Sequence, residues 1–138
     1  MTASLAYNFV DLTGGLLNGD RGSAPDRFTC KFMIVRGPDE IVMILGSLNE
    51  YPYHANLLDQ FCHRRELASI WAREPDVVDL HEPGYDILGG GYVEIQRAEW
   101  RLRFSGASTA YGAFPQYELN ALVDHCPVFE PYQIMITS

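Results

Sequence analysis

The sequence predicts an α+β fold in which a mixed β-sheet of about six strands packs with two main helices. Three observations support this prediction. The chain has 138 residues, 47% of them hydrophobic, which suits one domain with a substantial core. Runs rich in β-branched and aromatic residues alternate with turns formed by glycine, proline and aspartate. Two longer segments carry apolar residues at helical spacing, and each is followed by a proline.

Two regions are predicted along the chain, a loosely ordered lead-in over residues 1–27 and a single domain over residues 28–138. Turn-forming residues are dense in the lead-in, as in Gly14-Gly15 and Asn18-Gly19-Asp20. We therefore expect at most one short strand there, over about Ala6–Val10.

Two β-hairpins are predicted in the domain. Phe28–Arg36 and Glu40–Leu45 are apolar runs on either side of the turn Gly37-Pro38-Asp39. Neither run alternates cleanly between apolar and polar residues, so we expect both faces of these strands to be covered. Tyr92–Ile95 and Trp100–Phe104 predict the second hairpin.

Two helices complete the prediction. The first spans about His54–Arg73, because its apolar residues fall close to one stripe and Pro75 follows. The second begins near Pro115 and stops at Pro127. Further short strands are expected at Val77–Leu80 and Tyr132–Ile136.

Charge and cysteine content narrow the possible partners and location. With 10 Lys and Arg against 18 Asp and Glu, the net charge is −8, which repels nucleic acid and anionic membranes. No Lys or Arg precedes Arg21, and Asn8 and Asp11 interrupt the first apolar stretch, so we expect neither a signal peptide nor a membrane span. Three cysteines without a Cys-x-x-Cys pair predict reduced thiols and a cytoplasmic protein.

His54 is the first candidate functional residue, because it stands at the start of the first predicted helix. The N–H groups of Ala55–Leu57 have no intrahelical partner there, so with the helix dipole they attract an anion and favour a neutral imidazole. A neutral imidazole accepts a proton from water and acts as a general base. The alternative is a structural histidine that caps the helix or packs against Tyr51 and Tyr53.

Two segments with several glycines, Leu88–Gly91 and Gly106–Gly112, are candidates to complete an anion site with His54. The glycines of the second segment allow close backbone approach, and Ser108 and Thr109 add hydroxyl donors. The alternatives are an ordinary loop for the second segment and a bulge or tight bend for the first. The first lacks the spacing of a nucleotide-binding motif.

A metal site is not expected. Cys62-His63 and His125-Cys126 are adjacent pairs in predicted helices, where neighbouring side chains point in different directions and cannot both reach one ion. A serine hydrolase is also not expected, because no Gly-x-Ser-x-Gly motif is present. The sequence thus predicts neither a metal nor a cofactor.

Four segments, taken in order, resemble the protein phosphohistidine phosphatase (Janus/Ocnus) family: Cys30–Arg36, Tyr53-His54-Ala55-Asn56, Leu88–Gly91 and Ser108–Gly112. The resemblance covers roughly residues 28–137. It implies a phosphohistidine-phosphatase-like α+β fold and metal-independent hydrolysis of phosphohistidine or a related phosphoramidate. The implied partner is a phosphorylated protein or a small phosphoramidate, and nothing predicts an oligomeric state.

By position, the resemblance also assigns roles to individual residues. It implies that His54 is the catalytic general base acting on the attacking water, and that Lys31 binds phosphate. Ala55 contributes a backbone N–H. The loop around the phosphoryl oxygens is formed by Ser108, Thr109 and Ala110. Oriented donors of this kind stabilise the charge that spreads over these oxygens in phosphoryl transfer.

The chain departs from the family pattern at two arginine positions. Leu45 stands where the family commonly has an arginine before Gly46, and Tyr92 stands where another follows the glycine triplet. If each arginine gave about 1.5–3 kcal/mol as a charged donor, losing both would weaken phosphate binding by roughly two to four powers of ten. Arg101 and Arg103 share one strand face and are candidate replacements. The departures leave a second hypothesis open, a non-catalytic module that holds a phosphorylated or carboxylated ligand.

Overall fold

The computed structural model describes residues 5–18 and 26–137. The strands are β1 (Ala6–Asp11), β2 (Arg27–Arg36), β3 (Glu40–Ser47), β4 (Ser69–Arg73), β5 (Val77–Leu80), β6 (Asp86–Gln96), β7 (Arg101–Ser105), β8 (Ala107–Ser108), β9 (Gly112–Ala113) and β10 (Gln133–Ile136). The helices are α1 (His54–Arg65) and α2 (Gln116–His125), with 3₁₀ turns at Leu16–Asn18 and Pro127–Phe129. No helix in these ranges is long and apolar enough to cross a membrane.

One mixed sheet organises the fold. Its strands follow the order β1-β3-β2-β6-β7-β10, and the short strands β8 and β9 attach beside β6. The four central strands are antiparallel, whereas β1 pairs with β3 and β10 pairs with β7 in parallel. A separate hairpin is formed by β4 and β5. The predicted α+β class, with a mixed sheet and two helices, is confirmed.

The central strands are covered on both faces, as their lack of alternation predicts. Residues 30–35 of β2 are all buried. Phe32 belongs to a hydrophobic cluster with α2, whereas its neighbour Met33 belongs to a second cluster with α1. Successive side chains in a strand point to opposite faces, so the two helices lie on opposite sides of the sheet. We call the side that carries Met33 the α1 face.

Most other predicted elements are present. The first predicted hairpin is β2–β3, the second is β6–β7, and the short strand at Val77–Leu80 is β5. The final predicted strand is β10, and α2 lies between Pro115 and Pro127. The single strand expected in the lead-in is β1, and Leu12 and Leu17 after it are buried. Residues 1–4 and 19–25 of the lead-in lie outside the described residues.

Helix α1 is shorter than the sequence predicts. It ends at Arg65, and Glu66 takes a left-handed conformation (φ 55°) whose N–H returns to carbonyls of the last turn. The chain then forms β4 at Ser69–Arg73, which pairs with β5. Ile70 and Trp71 are a β-branched and an aromatic residue, which favour a strand. The predicted extension of the helix to Arg73 is therefore wrong, because a paired strand supplies its last apolar residues.

Contacts at both ends hold α1 in place. At its start, the Tyr53 N–H donates to Oδ1 of Asn56 at 2.9 Å, and the Asn56 N–H donates to the Tyr53 carbonyl at 3.0 Å. At its end, Arg65 donates to the Glu40 carboxylate at 2.8 Å. The same carboxylate accepts hydrogen bonds from Asn8 and Tyr85. Burial raises the pKa of Glu40, but these hydrogen bonds and the Arg65 charge outweigh it, and the pKa falls below its usual value.

Replacement of the exposed cap residue by glycine, Glu66→Gly, is expected to stabilise the fold by about 0.5–1 kcal/mol. Glycine avoids the steric cost of the left-handed conformation, and its greater freedom in the unfolded chain offsets only part of the gain. The free energy of unfolding in urea measures the effect.

Glu130→Gly is the matched control, because Glu130 is an exposed glutamate with right-handed backbone (φ −54°, ψ −43°). Glycine there is expected to destabilise the fold by a similar amount. Equal changes of the same sign in both variants would contradict a left-handed cap at Glu66.

Candidate functional site

His54 is the first residue of α1, and it is buried, with 5% of its surface exposed. Its Nε2 atom lies 2.9 Å from the carbonyl oxygen of Gly91 in β6. Because a carbonyl oxygen only accepts hydrogen bonds, Nε2 carries the proton. In the neutral ring, Nδ1 therefore holds the lone pair and is the atom that can accept a proton.

The surroundings of His54 keep its ring neutral. Burial lowers the pKa of His54 from 6.5, the hydrogen bond to Gly91 raises it, and the Lys31 charge lowers it, with a net lowering. The N–H groups of the first helical turn act in the same direction. A neutral imidazole agrees with the sequence-based expectation. That expectation rested on the helix dipole, whereas burial is the main cause of the lowered pKa.

Gly90 allows His54 to approach β6, and Gly91 allows the neighbouring strand backbone to approach. A Cβ on Gly90 would lie 2.5 Å from the carbonyl oxygen of Phe32 and 3.1 Å from Cδ2 of His54. A Cβ on Gly91 would lie 2.6 Å from the carbonyl oxygen of Ser105. The glycine triplet therefore serves close strand packing, and the β2–β6 register shifts beside it, as the bulge interpretation predicts. Its contribution to the site is the carbonyl that accepts from His54.

A cavity of about 290 Å³ lies beside this ring. It brings together five of the six predicted site residues, namely Lys31, His54, Ser108, Thr109 and Ala110. Ala55 is not among the lining residues, because its side chain is fully buried in the cluster with α1. Its N–H belongs to the first helical turn, where the backbone has no intrahelical partner.

Tyr92 contacts both the histidine and the lysine. Lys31 and Tyr92 are direct cross-strand neighbours in β2 and β6. The Lys31 Nζ atom lies 5.2 Å from the centre of the Tyr92 ring, and this ring meets the His54 ring edge-on at 5.5 Å between centroids. Lys31 is 8% exposed, and burial lowers its pKa from 10.5. The position at which the resemblance implies an arginine is thus occupied by an aromatic ring that packs against both side chains.

Arg73 and Asp76 also line the cavity, and the sequence did not indicate them as site residues. Arg73 is the last residue of β4, and Asp76 lies in the turn before β5. Nε and Nη2 of Arg73 each lie 3.0 Å from an oxygen of the Asp76 carboxylate. Because the sequence predicted a helix through Arg73, these two residues were not recognised as a pair. The available signal was the turn at Glu74-Pro75-Asp76 between two runs with strand composition.

The turn at Ser108–Ala110 connects β8 and β9 at the cavity. Ser108 is buried, and its Oγ accepts a hydrogen bond from the Tyr111 N–H at 3.2 Å. The Tyr111 hydroxyl accepts from the Val78 N–H at 2.7 Å and donates to the Val78 carbonyl at 2.8 Å. The turn and the β4–β5 hairpin are therefore fixed to each other beside the cavity.

The candidate replacements for the family arginines do not reach this site. Neither Arg101 nor Arg103 lines the cavity, and Arg101 pairs with Glu99 at 3.1 Å. Leu45 is buried in the cluster with α2, so the position of the first absent arginine faces away from His54. Arg101 and Arg103, the candidate replacements, are therefore not among the residues that line the cavity.

The Cys–His pairs do not converge on a common point. Cys62 is buried, whereas its neighbour His63 is exposed. The Nδ1 atom of His125 donates to the carbonyl of Ala121 at 2.8 Å. In the part of the chain that the structure describes, no group of three or more His, Cys, Asp or Glu residues could hold a metal ion.

Comparison with known proteins does not assign the chain to a family. No family model matches it, and no curated protein matches it. The resemblance to the phosphohistidine phosphatase family therefore stays a prediction that depends on its four motifs.

The His54 ring is expected to be an Nε2–H tautomer with a pKa below 6.5. A lowered pKa means that a lower pH is needed to protonate the ring. Long-range ¹H–¹⁵N correlation spectra recorded during a pH titration measure both properties, and His54→Gln assigns the signals. A proton on Nδ1 of the neutral ring, or a midpoint above 6.5, would contradict this geometry.

Proposed function

We propose that the protein hydrolyses the phosphorus–nitrogen bond of phosphohistidine or a related phosphoramidate. One observation carries the proposal: His54, with Nε2 bound to Gly91 and Nδ1 free of a proton, lines the same cavity as Lys31 and the Ser108–Ala110 turn. The cavity lies near the lower limit of small-molecule sites, about 300 Å³, which suits a phosphoryl group with a small leaving group.

In the proposed reaction, Nδ1 of His54 accepts a proton from water as the water oxygen bonds to phosphorus. The phosphorus–nitrogen bond breaks, and the leaving nitrogen keeps its electron pair and takes up a proton from solvent, while His54 releases the proton that it accepted to solvent. The products are inorganic phosphate and the free imidazole or amine. The Lys31 ammonium and the donors of the Ser108–Ala110 turn offset the negative charge on the phosphoryl oxygens.

The charge of the chain makes this reaction depend on local contacts. The net charge of −8 repels a phosphorylated substrate at long range. A phosphoryl group must therefore gain its binding energy from donors that touch it. Lys31 is such a donor. Its low exposure reduces the screening of its charge by water.

We propose that the protein is located in the cytoplasm, which is a reducing compartment. We propose a phosphorylated protein or a small phosphoramidate as its partner. Cys30, Cys62 and Cys126 are free and buried. Burial is the main cause that raises the pKa of the Cys30 thiol to about 12, so this thiol stays protonated and unreactive. Free structural thiols are typical of reducing compartments.

A second candidate function is a non-catalytic module that holds a phosphorylated or carboxylated ligand in this cavity. Tyr92 favours it, because an aromatic ring stands where the family commonly has a phosphate-binding arginine. The ring also holds the Lys31 ammonium over its face, at 5.2 Å from its centre. Such a module would bind inorganic phosphate without turning over a phosphoramidate.

Purified protein is expected to release phosphate from phosphoramidate and from a phosphohistidine peptide without added metal. His54→Gln is expected to lower kcat/KM by at least about 100-fold, because a general base contributes roughly 10²–10⁴. Phosphate release measures the rate, and circular dichroism checks the fold.

His63→Gln is the matched control, because His63 is exposed on the same helix and does not line the cavity. Its activity is expected to equal that of the wild type. Full activity in His54→Gln would remove the proposed role of His54. Phosphate binding by calorimetry without turnover in the wild type would favour the non-catalytic module.

The pH dependence of kcat/KM is expected to have two limbs. Activity should fall at acidic pH with a midpoint below 6.5, because the protonated His54 cannot accept a proton and its pKa is lowered. It should fall at alkaline pH with a midpoint below 10.5, because the lowered pKa of Lys31 removes its charge earlier than usual. Initial rates at constant ionic strength, corrected for spontaneous hydrolysis, measure both limbs.

Lys31→Arg separates the two limbs. Arginine stays protonated, so the alkaline limb is expected to move to higher pH while the acidic limb stays in place. An alkaline limb that does not move would show that another group causes it.

A further inference from the structure

We propose that Arg73 is a second anion-binding residue of this cavity, and that Asp76 weakens anion binding by competing with the anion for the Arg73 guanidinium. The inference rests on the proposed function, because a phosphoryl group is the anion expected in the cavity. Arg73 and Asp76 line the cavity together with Lys31 and His54. They belong to the β4–β5 hairpin, which lies outside the four motifs of the family resemblance.

The Arg73 guanidinium has donors left for a ligand. Arginine has five N–H donors, and the bidentate pair with Asp76 uses Nε and one N–H of Nη2. Within residues 5–18 and 26–137, no other hydrogen bond involves this side chain. The side chain is 70% exposed, so an incoming anion can reach it. A planar guanidinium with free donors binds phosphate oxygens well.

The position of Arg73 beside the cavity is fixed by the fold. The Tyr111 hydroxyl forms two hydrogen bonds with the backbone of Val78 in β5, the strand that pairs with β4. Val78 is fully buried in the cluster with α1. The Tyr111 N–H donates to Ser108 Oγ in the turn that lines the cavity. The backbone that carries Arg73 is thus held at a defined place relative to the proposed phosphate-binding turn.

The charges around the cavity explain the role of Asp76. Lys31 and Arg73 are positive, Asp76 is negative, and His54 is neutral, so the lining keeps one positive charge in excess. A phosphoryl group carries up to about two negative charges near neutral pH. Asp76 therefore weakens the attraction for inorganic phosphate, which is the product that must leave.

Arg73 also provides the type of donor that the family positions lack. Leu45 is buried on the opposite side of the sheet from His54, and Tyr92 is an aromatic residue in the cavity. A guanidinium can therefore reach the phosphoryl group from the β4–β5 hairpin, although neither family position supplies one.

Isothermal titration calorimetry with inorganic phosphate at low ionic strength tests the inference. Arg73→Ala is expected to weaken phosphate binding about fivefold, and Asp76→Asn to tighten it about fivefold, as for an exposed charged contact. Arg73→Lys should lie between the wild type and Arg73→Ala, because it keeps the charge and loses the planar fork. Arg64→Ala is the matched control, since Arg64 is exposed on α1 and does not line the cavity. Its affinity is expected to match the wild type.

Phosphoramidate hydrolysis measured on the same samples separates this inference from the proposed function. Equal phosphate affinity in Arg73→Ala, Arg64→Ala and the wild type would overturn the inference even if the protein hydrolyses phosphoramidate. Affinity that responds to Arg73 and Asp76 in a protein without turnover would support the inference and remove the phosphatase proposal. A wild-type protein that does not bind phosphate would overturn the inference.

Discussion

The hydrogen bond between Nε2 of His54 and the carbonyl of Gly91 is the interaction on which the site depends. It joins the first residue of α1 to β6 at the centre of the sheet. It also decides which ring nitrogen carries the proton, while burial keeps the ring neutral. A buried N–H without this acceptor would cost about 1–3 kcal/mol. The contact requires a close approach between helix and strand, and Gly90 permits it because a Cβ there would lie 3.1 Å from Cδ2 of His54.

The parts of the fold and site that follow from local sequence could be predicted. Turn residues between apolar runs located both hairpins, and Pro115 and Pro127 bounded α2. The apolar stripe of α1 placed His54 at its start. The other four residues that line the cavity as expected were implied by the resemblance of short motifs to a known family. These are Lys31, Ser108, Thr109 and Ala110.

The end of α1 and the Arg73–Asp76 pair could not be predicted in the same way. Trp71 continues the helical apolar spacing, and no glycine marks the left-handed cap at Glu66. The strand at Ser69–Arg73 exists because it pairs with β5, which is a contact between separate parts of the chain. The local spacing of apolar residues favours a helix in this segment, but pairing with β5 makes it a strand. An error in one helix boundary therefore hid the arginine that lines the cavity.

The state of His54 argues for catalysis over simple binding. A module that only holds an anion gains from positive charge, yet this ring is kept neutral by burial and by the Lys31 ammonium. Its Nδ1 has no hydrogen-bond partner among the described residues, and in the neutral ring this atom keeps its lone pair. A general base needs both features, since it must accept a proton beside a substrate that already carries negative charge. When Nδ1 takes that proton, the new positive charge is repelled by Lys31 and attracted by the phosphoryl oxygens. In the proposed reaction, the cavity would therefore stabilise the imidazolium while substrate is present, and the ring would return to imidazole after phosphate leaves.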